Sequence, residues 1–219
     1  RFFFRLAGVL FMFSYLNLAM DRLQLIIYGR WLDDGVLRFE NALFGAQPTL
    51  WLERFISRPL TEWLFFSYAI YLVIYPALGV LIYFRRGEQA AEDYLLTLGL
   101  SNVVCDLGFL LYPVAGPLAH MGGQYGVPLN GYVWARLGEY LRSHWQFVGG
   151  NIPSPHCANA TAMWLMAYRY HRPAFWVLSP VIVSLYISTV YCRYHYLTDS
   201  VIGVAVAVVA WAVSPACRN

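Results

Sequence analysis

Lysine is absent from this chain. All 15 basic residues are arginine, and charged residues of either sign make up only 12% of the sequence. A soluble globular domain carries roughly 25% charged residues, so the shortage excludes an ordinary water-facing surface. No basic run is present, which removes nucleic acid as a partner. The four cysteines, Cys105, Cys157, Cys192 and Cys217, lack zinc-type spacing, and no cofactor is expected. Cys157 and Cys192 lie beside the histidine motifs described below and leave two readings open, a disulfide or two small buried side chains. Neither an internal repeat nor a low-complexity stretch interrupts the chain, which reads as one domain over residues 1–219. No cleavable signal peptide is evident, and the first apolar segment is expected to direct insertion itself.

Apolar sequence is what the chain has in excess, at 59%. It comes in blocks with charges confined to the gaps, as in membrane helices. The expected fold class is all-α: a polytopic membrane protein with six transmembrane helices, over about residues 3–20, 60–84, 94–114, 157–170, 174–191 and 197–213. The fourth is short against the ~20 residues a bilayer asks for. Arg85 and Arg86 lie between the second and third, and Arg169, His171 and Arg172 between the fourth and fifth. Tight arginine-rich loops belong on the cytoplasmic side, and Arg1, Arg5 and Arg218 fit that side too. The loops over 21–59, 115–156 and 192–196 then face outward. Within the second of these, Trp134, Leu137, Tyr140 and Leu141 alternate with Arg136, Glu139 and Arg142 at helical spacing. Residues 132–147 therefore read as an amphipathic interfacial helix, with Arg136 and Arg142 able to contact a headgroup but better placed on its solvated face. Residues 31–44 and 49–56 look similar.

Two polar motifs stand at the outer mouths of the apolar blocks: Ile152-Pro153-Ser154-Pro155-His156 and His195-Tyr196-Leu197-Thr198-Asp199. Ionisable groups at a membrane edge are costly and are candidates for function. His195 and Asp199 stand at i and i+4, on one helix face. The carboxylate can hold one ring nitrogen and leave the other free to attack as a nucleophile. His156, following a Pro-Ser-Pro turn, would sit opposite as the acid that protonates a leaving alkoxide. Ser154, with the backbone N–H groups at that helix start, offers a phosphate site, and Arg193 offers a planar fork for phosphate. Each also has a plainer reading: an interhelical hydrogen bond for His156, an ion pair for His195 with Asp199, a cap for Ser154, an interfacial anchor for Arg193. Zinc held by the two histidines and Asp199 is a further possibility.

At these residues the chain resembles the type 2 phosphatidic acid phosphatase superfamily of integral-membrane enzymes. Pro153-Ser154-Pro155-His156 is similar to its P-S-x-H motif. The stretch from Ser188 through Arg193 and His195 to Asp199 is similar to its final S-R-x-x-x-x-x-H-x-x-x-D motif, with Thr189 in place of arginine. The resemblance implies His195 as the phosphorylated nucleophile, Asp199 as its partner and His156 as the leaving-group acid. The first family motif, K-x-x-x-x-x-x-R-P, is missing; Tyr112–Pro117 stands where it would end, with Leu118 where an arginine would be expected. These departures, with Ala160-Thr161-Ala162-Met163 and the Phe44–Glu53 loop, look more like the inositol phosphorylceramide synthase branch, whose members pass a phospho-headgroup between lipids. The implied activity is a lipid phosphotransferase or phosphatase acting through a phosphohistidine on the extracytoplasmic face. The implied partners are the bilayer and a phospholipid or other lipid phosphate; the compactness of the chain favours a bacterial plasma membrane over a luminal eukaryotic site. A plain lipid-phosphate phosphatase and, more remotely, a non-enzymatic lipid or proton-coupled transporter stay open; the oligomeric state is not legible.

Overall fold

The computed structural model describes residues 2–144 and 148–214. Arg1, residues 145–147 of the interfacial segment, Cys217 and Arg218 lie outside them. Every apolar block is a helix, as it must be where no water is present to pair backbone amides. The chain begins with α1 (Phe2–Leu23), then the short α2 (Asp33–Phe44) and α3 (Pro48–Trp51), which runs into a 3-10 turn over Leu52–Phe55. Two long helices follow, α4 (Arg58–Arg86) and α5 (Glu88–Leu111). After α6 (Pro117–Met121) and α7 (Trp134–His144) come α8 (Pro155–Tyr170), α9 (Arg172–Tyr191) and α10 (Leu197–Val213). No strand occurs among the described residues.

The boundaries differ most at α5, which begins at Glu88, not near residue 94. Its first turns hold Glu88, Glu92 and Asp93, and those charges mask the helix in an apolar window. They are accommodated locally: Arg5 pairs with Glu92 and, at 3.7 Å, with Glu88. The Tyr170 hydroxyl donates to Asp93 at 2.7 Å. The helix then stops at Leu111, two residues before Pro113, whose predecessor is steered away from helical geometry.

Among the described residues, four helices are long and apolar enough to cross a membrane: α1 over Phe3–Met20, α4, α5 and α9. The apolar α10 is shorter, at 17 residues. α8 has 16 residues, with Asn159, Thr161 and His156 among them. Its composition follows from its position, because it packs against α4, α5, α9 and α10. A helix walled by protein on most sides needs small residues for close approach, not an apolar surface. Ala158, Ala160, Ala162, Met163 and Met166 are accordingly fully buried.

Both arginine-rich loops fall at one end of this bundle, where the Arg86 Nε donates to the Tyr170 carbonyl at 2.9 Å. Both histidine motifs fall at the other, under α2, α3 and α7. The junction that fixes their register is the crossing of α8 and α10. A Cβ on Gly203 would lie 2.4 Å from the Ser154 carbonyl oxygen and 3.2 Å from the Cys157 Cβ, so only glycine permits the approach. The Ser154 N–H then donates to the Asp199 carbonyl at 3.0 Å. Gly203→Ala should therefore cost about 1–3 kcal/mol by overpacking. It should lower the thermal unfolding midpoint in detergent; an unchanged midpoint would show that the crossing is not tight.

Candidate active site

α9 ends in a turn that aims His195. The Tyr194 N–H donates to the Thr189 carbonyl at 3.0 Å and the Arg193 N–H to the Val190 carbonyl at 3.1 Å. This is the Schellman pattern, with Arg193 at the left-handed position (φ 65°) that glycine usually takes. A non-glycine residue there is strained by roughly 1–2 kcal/mol, and its side chain is held hard. The Arg193 guanidinium donates to Glu53 at 2.8 Å and to the Val127 carbonyl, and stacks over Tyr125 at 4.1 Å. Two residues on, the His195 N–H also donates to the Thr189 carbonyl at 2.9 Å, which seats the imidazole.

α10 starts immediately afterwards, and Asp199 closes its first turn by accepting from the Tyr196 N–H at 2.9 Å. The same carboxylate lies 3.6 Å from His195 Nδ1, an ion-pair distance longer than a hydrogen bond. Neither His195 Nδ1 nor Asp199 Oδ1 has a hydrogen-bond partner among the described residues. On the other side, His195 Nε2 faces His156 Nδ1 at 3.3 Å, and the Tyr68 hydroxyl reaches His156 Nε2 at 2.8 Å. One proton arrangement is consistent throughout: Nδ1–H of His195 toward Asp199, Nδ1–H of His156 toward His195, and the Tyr68 hydroxyl toward His156. It leaves the lone pair on His195 Nε2, the nitrogen turned to His156. Burial, reinforced by the neighbouring His156, holds the pKa of His195 well below 6.5, so the ring is neutral and able to attack at physiological pH.

Tyr68 escaped the sequence reading, because one aromatic in a long apolar helix carries no local signal. It is stacked between Tyr194, at 4.4 Å, and His156, at 4.6 Å, and so fixes the His156 ring as well as its tautomer. The two histidines and Tyr68 open into a cavity of about 370 Å³, walled on the outer side by α7. Arg193 and Arg142 bring the positive charge to it.

The placement of Arg142 departs from the expected solvated face. α7 sits with Gly138 against Phe65 of α4, where a Cβ would lie 2.3 Å from the ring. Ala135, Gly138 and Arg142 therefore form the inward face, while Leu137 and Tyr140 are exposed. Arg136 is exposed, as expected. Arg142 pairs with Glu139 through Nη2, while its buried Nη1 has no partner among the described residues. Arg193, by contrast, is tied through Nη2 to Glu53 and to the Val127 carbonyl.

Ser154 is fully buried and is not part of the cavity wall. Its hydroxyl accepts from the Cys157 N–H at 3.3 Å, as an N-cap. Thr189, where the resemblance would place an arginine, is buried too. Its hydroxyl donates to the Tyr186 carbonyl at 2.7 Å and meets Ser200 at 2.9 Å. Leu118 lines the cavity and brings no charge to it. Cys157 and Cys192 are free thiols.

Residues 34–213 match the family described as the PAP2 superfamily. The chain belongs to the PAP2 superfamily. No curated protein and no solved structure matches it. For a PAP2 member the match is consistent with the geometry above: it runs from the start of α2 to the end of α10 and so includes both histidines, Asp199 and the outer helices. Superfamily membership supports an enzyme of the lipid phosphatase or phosphotransferase kind.

An anion entering the cavity should meet the free donor of Arg142 first. A hydrogen bond to a charged group contributes about 1.5–3 kcal/mol, so Arg142→Gln should weaken orthovanadate binding roughly tenfold or more in a calorimetric titration. Arg136→Gln serves as the exposed control. Equal affinities in the two variants would place the anion elsewhere.

Proposed function

We propose that this PAP2 protein is an integral-membrane lipid phosphotransferase of six spans, with α8 and α10 completing the four longer helices. It works through a phosphohistidine on the extracytoplasmic face. The observation that carries the reading is the aligned run Asp199, His195, His156 and Tyr68 at the wall of a cavity holding Arg142. Arginine in both short loops at the opposite end of the bundle supports a cytoplasmic position for that end. A bacterial plasma membrane suits the compact chain.

The donor is a lipid whose phosphate enters beside Arg142 and parts the two imidazoles. His195 Nε2 attacks phosphorus, the bond to the lipid oxygen breaks, and His156, protonated once the anionic phosphate lies beside it, delivers that proton to the departing alkoxide. Asp199 stabilises the charge that forms on His195, as a buried carboxylate does in other histidine-centred sites. In the second step an alcohol attacks phosphorus, the P–N bond breaks with its electron pair returning to the ring, and the alcohol proton passes to His156.

Charge favours a diester donor and the inositol phosphorylceramide synthase-like branch. A diester carries one negative charge and a monoester close to two; in the cavity wall Arg142 is paired with Glu139 and Arg193 with Glu53, so little net positive charge is left to meet a dianion. Threonine at 189 and leucine at 118 remove the cations a dianion would need. Hydrolysis of a monoester is the second reading, favoured by the presence of Arg193 in the same wall.

The test is product analysis by mass spectrometry on lipid monoesters and diesters, using purified protein. A headgroup-bearing lipid formed from a diester without phosphate release is expected. His195→Ala should abolish turnover, and His156→Ala should cost roughly 10²–10⁴-fold with a poor leaving group and far less with nitrophenol. Full activity in His195→Ala would sink the mechanism.

A further inference from the structure

A second cavity, of about 340 Å³, lies on the far side of His156 from the Arg142 wall. It is bounded by α1, α4, α5 and α8, and it shares His156, Leu72, Gly149 and Gly150 with the first. The two therefore meet at the general acid and at one short glycine segment. Their chemistry differs. The first has two arginines in its wall, whereas among the described residues the lining of the second includes no arginine, aspartate or glutamate.

Its polar groups are neutral and deeply set. Asn102 and Asn159 exchange amide hydrogen bonds at 2.9 and 3.2 Å between α5 and α8, each with under a tenth of its surface exposed. Both N–H donors of Asn102 are used, the second by the Leu98 carbonyl, and the Tyr71 hydroxyl meets the Asn159 amide, whose Oδ1 accepts one hydrogen bond and can accept a second. Tyr75, on α4, is 4% exposed and lines the same space, and its hydroxyl has no partner among the described residues. A buried hydroxyl left unpaired costs about 1–3 kcal/mol, and the cost persists unless a ligand or water meets it. Leu10, Phe13 and Met20 of α1 and Phe109 of α5 supply the apolar part of the wall, with Gln24 and Tyr71 as further neutral polar groups. Uncharged hydrogen-bonding groups set deep in an apolar lining, with a proton-transfer group at one end, fit a specific kind of occupant.

We propose that this second cavity is the acceptor compartment, and that it takes an uncharged lipid alcohol with its hydroxyl at His156 and its adjoining polar atoms on Tyr75 and Asn159. Donor phosphate and acceptor hydroxyl then approach His156 from opposite cavities, and the hydroxyl oxygen reaches phosphorus on His195 as its proton passes to His156. The acceptor's position rests only on the cavity. Its use in transfer rests on the phosphohistidine reading above.

The experiment uses the full chain in detergent with a diazirine-bearing dodecanol as photoprobe, competed by n-dodecanol or by dodecyl phosphate. Cross-links should map to the α4 and α5 peptides around Tyr75 and Asn102. They should be displaced by the alcohol and not by the phosphate, and should fall roughly tenfold in Tyr75→Phe and in Asn159→Leu, as expected for one lost hydrogen bond. The ratio of transfer to hydrolysis with dodecanol as acceptor should fall in parallel. Labelling that is spread over lipid-facing residues, or is unchanged in both variants, overturns the assignment. Labelling confined to the cavity in a protein that forms no phosphoenzyme would leave the compartment standing and remove the phosphohistidine reading instead.

Discussion

The arrangement depends on one constraint: helix starts buried near a membrane cannot leave their first N–H groups to water. Each such start leaves four donors without an intrahelical partner, and in an apolar setting each would cost several kcal/mol. At the crossing of α8 and α10 the two starts satisfy one another. The Ser154 N–H uses the Asp199 carbonyl, the Ser154 hydroxyl takes the Cys157 N–H, and the Asp199 carboxylate takes the Tyr196 N–H. These bonds place His156 and His195 on opposing faces of the junction. The pairing of the two histidines is thus a by-product of closing two helix ends against each other, with Gly203 permitting the approach.

The outer segments extend the same solution. Four carboxylates from before or at the start of α4 reach across the chain to backbone amides. Asp33 accepts from Ala115 and Gly116 and from the Tyr196 hydroxyl, at 2.9–3.0 Å. Glu40 takes both the N–H and the hydroxyl of Thr198 at 2.8 and 3.0 Å, and burial raises its pKa against that pull. Glu53 holds Gly126 and Val127 as well as Arg193. Glu62 accepts from the first amides of α7 at 2.7–3.2 Å, where the helix dipole favours an anion. Gln24 does the neutral equivalent, bonding Val148 and Gly150 at 2.7 and 2.9 Å. The roof of the cavity is therefore fixed by side chains that never touch the reacting atoms.

This division explains what could be read from the sequence. The apolar blocks announce helices because burial in lipid is a local property of composition, and the histidine motifs stand out because polar residues are rare at span mouths. Tyr68, Arg142 and the capping carboxylates were not legible because their roles depend on partners far along the chain, such as Asp33 on Tyr196. Arg142 misled in a specific way. Its spacing with Arg136 and Glu139 describes an exposed stripe, but Gly138 on Phe65 turns the helix so that Arg142 faces in. Ser154 had two readings in the sequence, a phosphate ligand and a helix cap, and its hydroxyl is placed as the cap, accepting from the Cys157 N–H. The α5 boundary moved because Arg5 and Tyr170 neutralise charges that a local window counts against the helix.

The central claim is that phosphorus passes through His195 Nε2. The direct measurement is a single turnover with labelled lipid donor, quenched in alkali and mapped by mass spectrometry, with ³¹P NMR on the isolated peptide to assign the nitrogen. The account predicts an acid-labile, alkali-stable phosphoryl group on Nε2 of His195, because Nδ1 is turned to Asp199. Phosphate on another residue, on Nδ1, or on no residue during active turnover would contradict it.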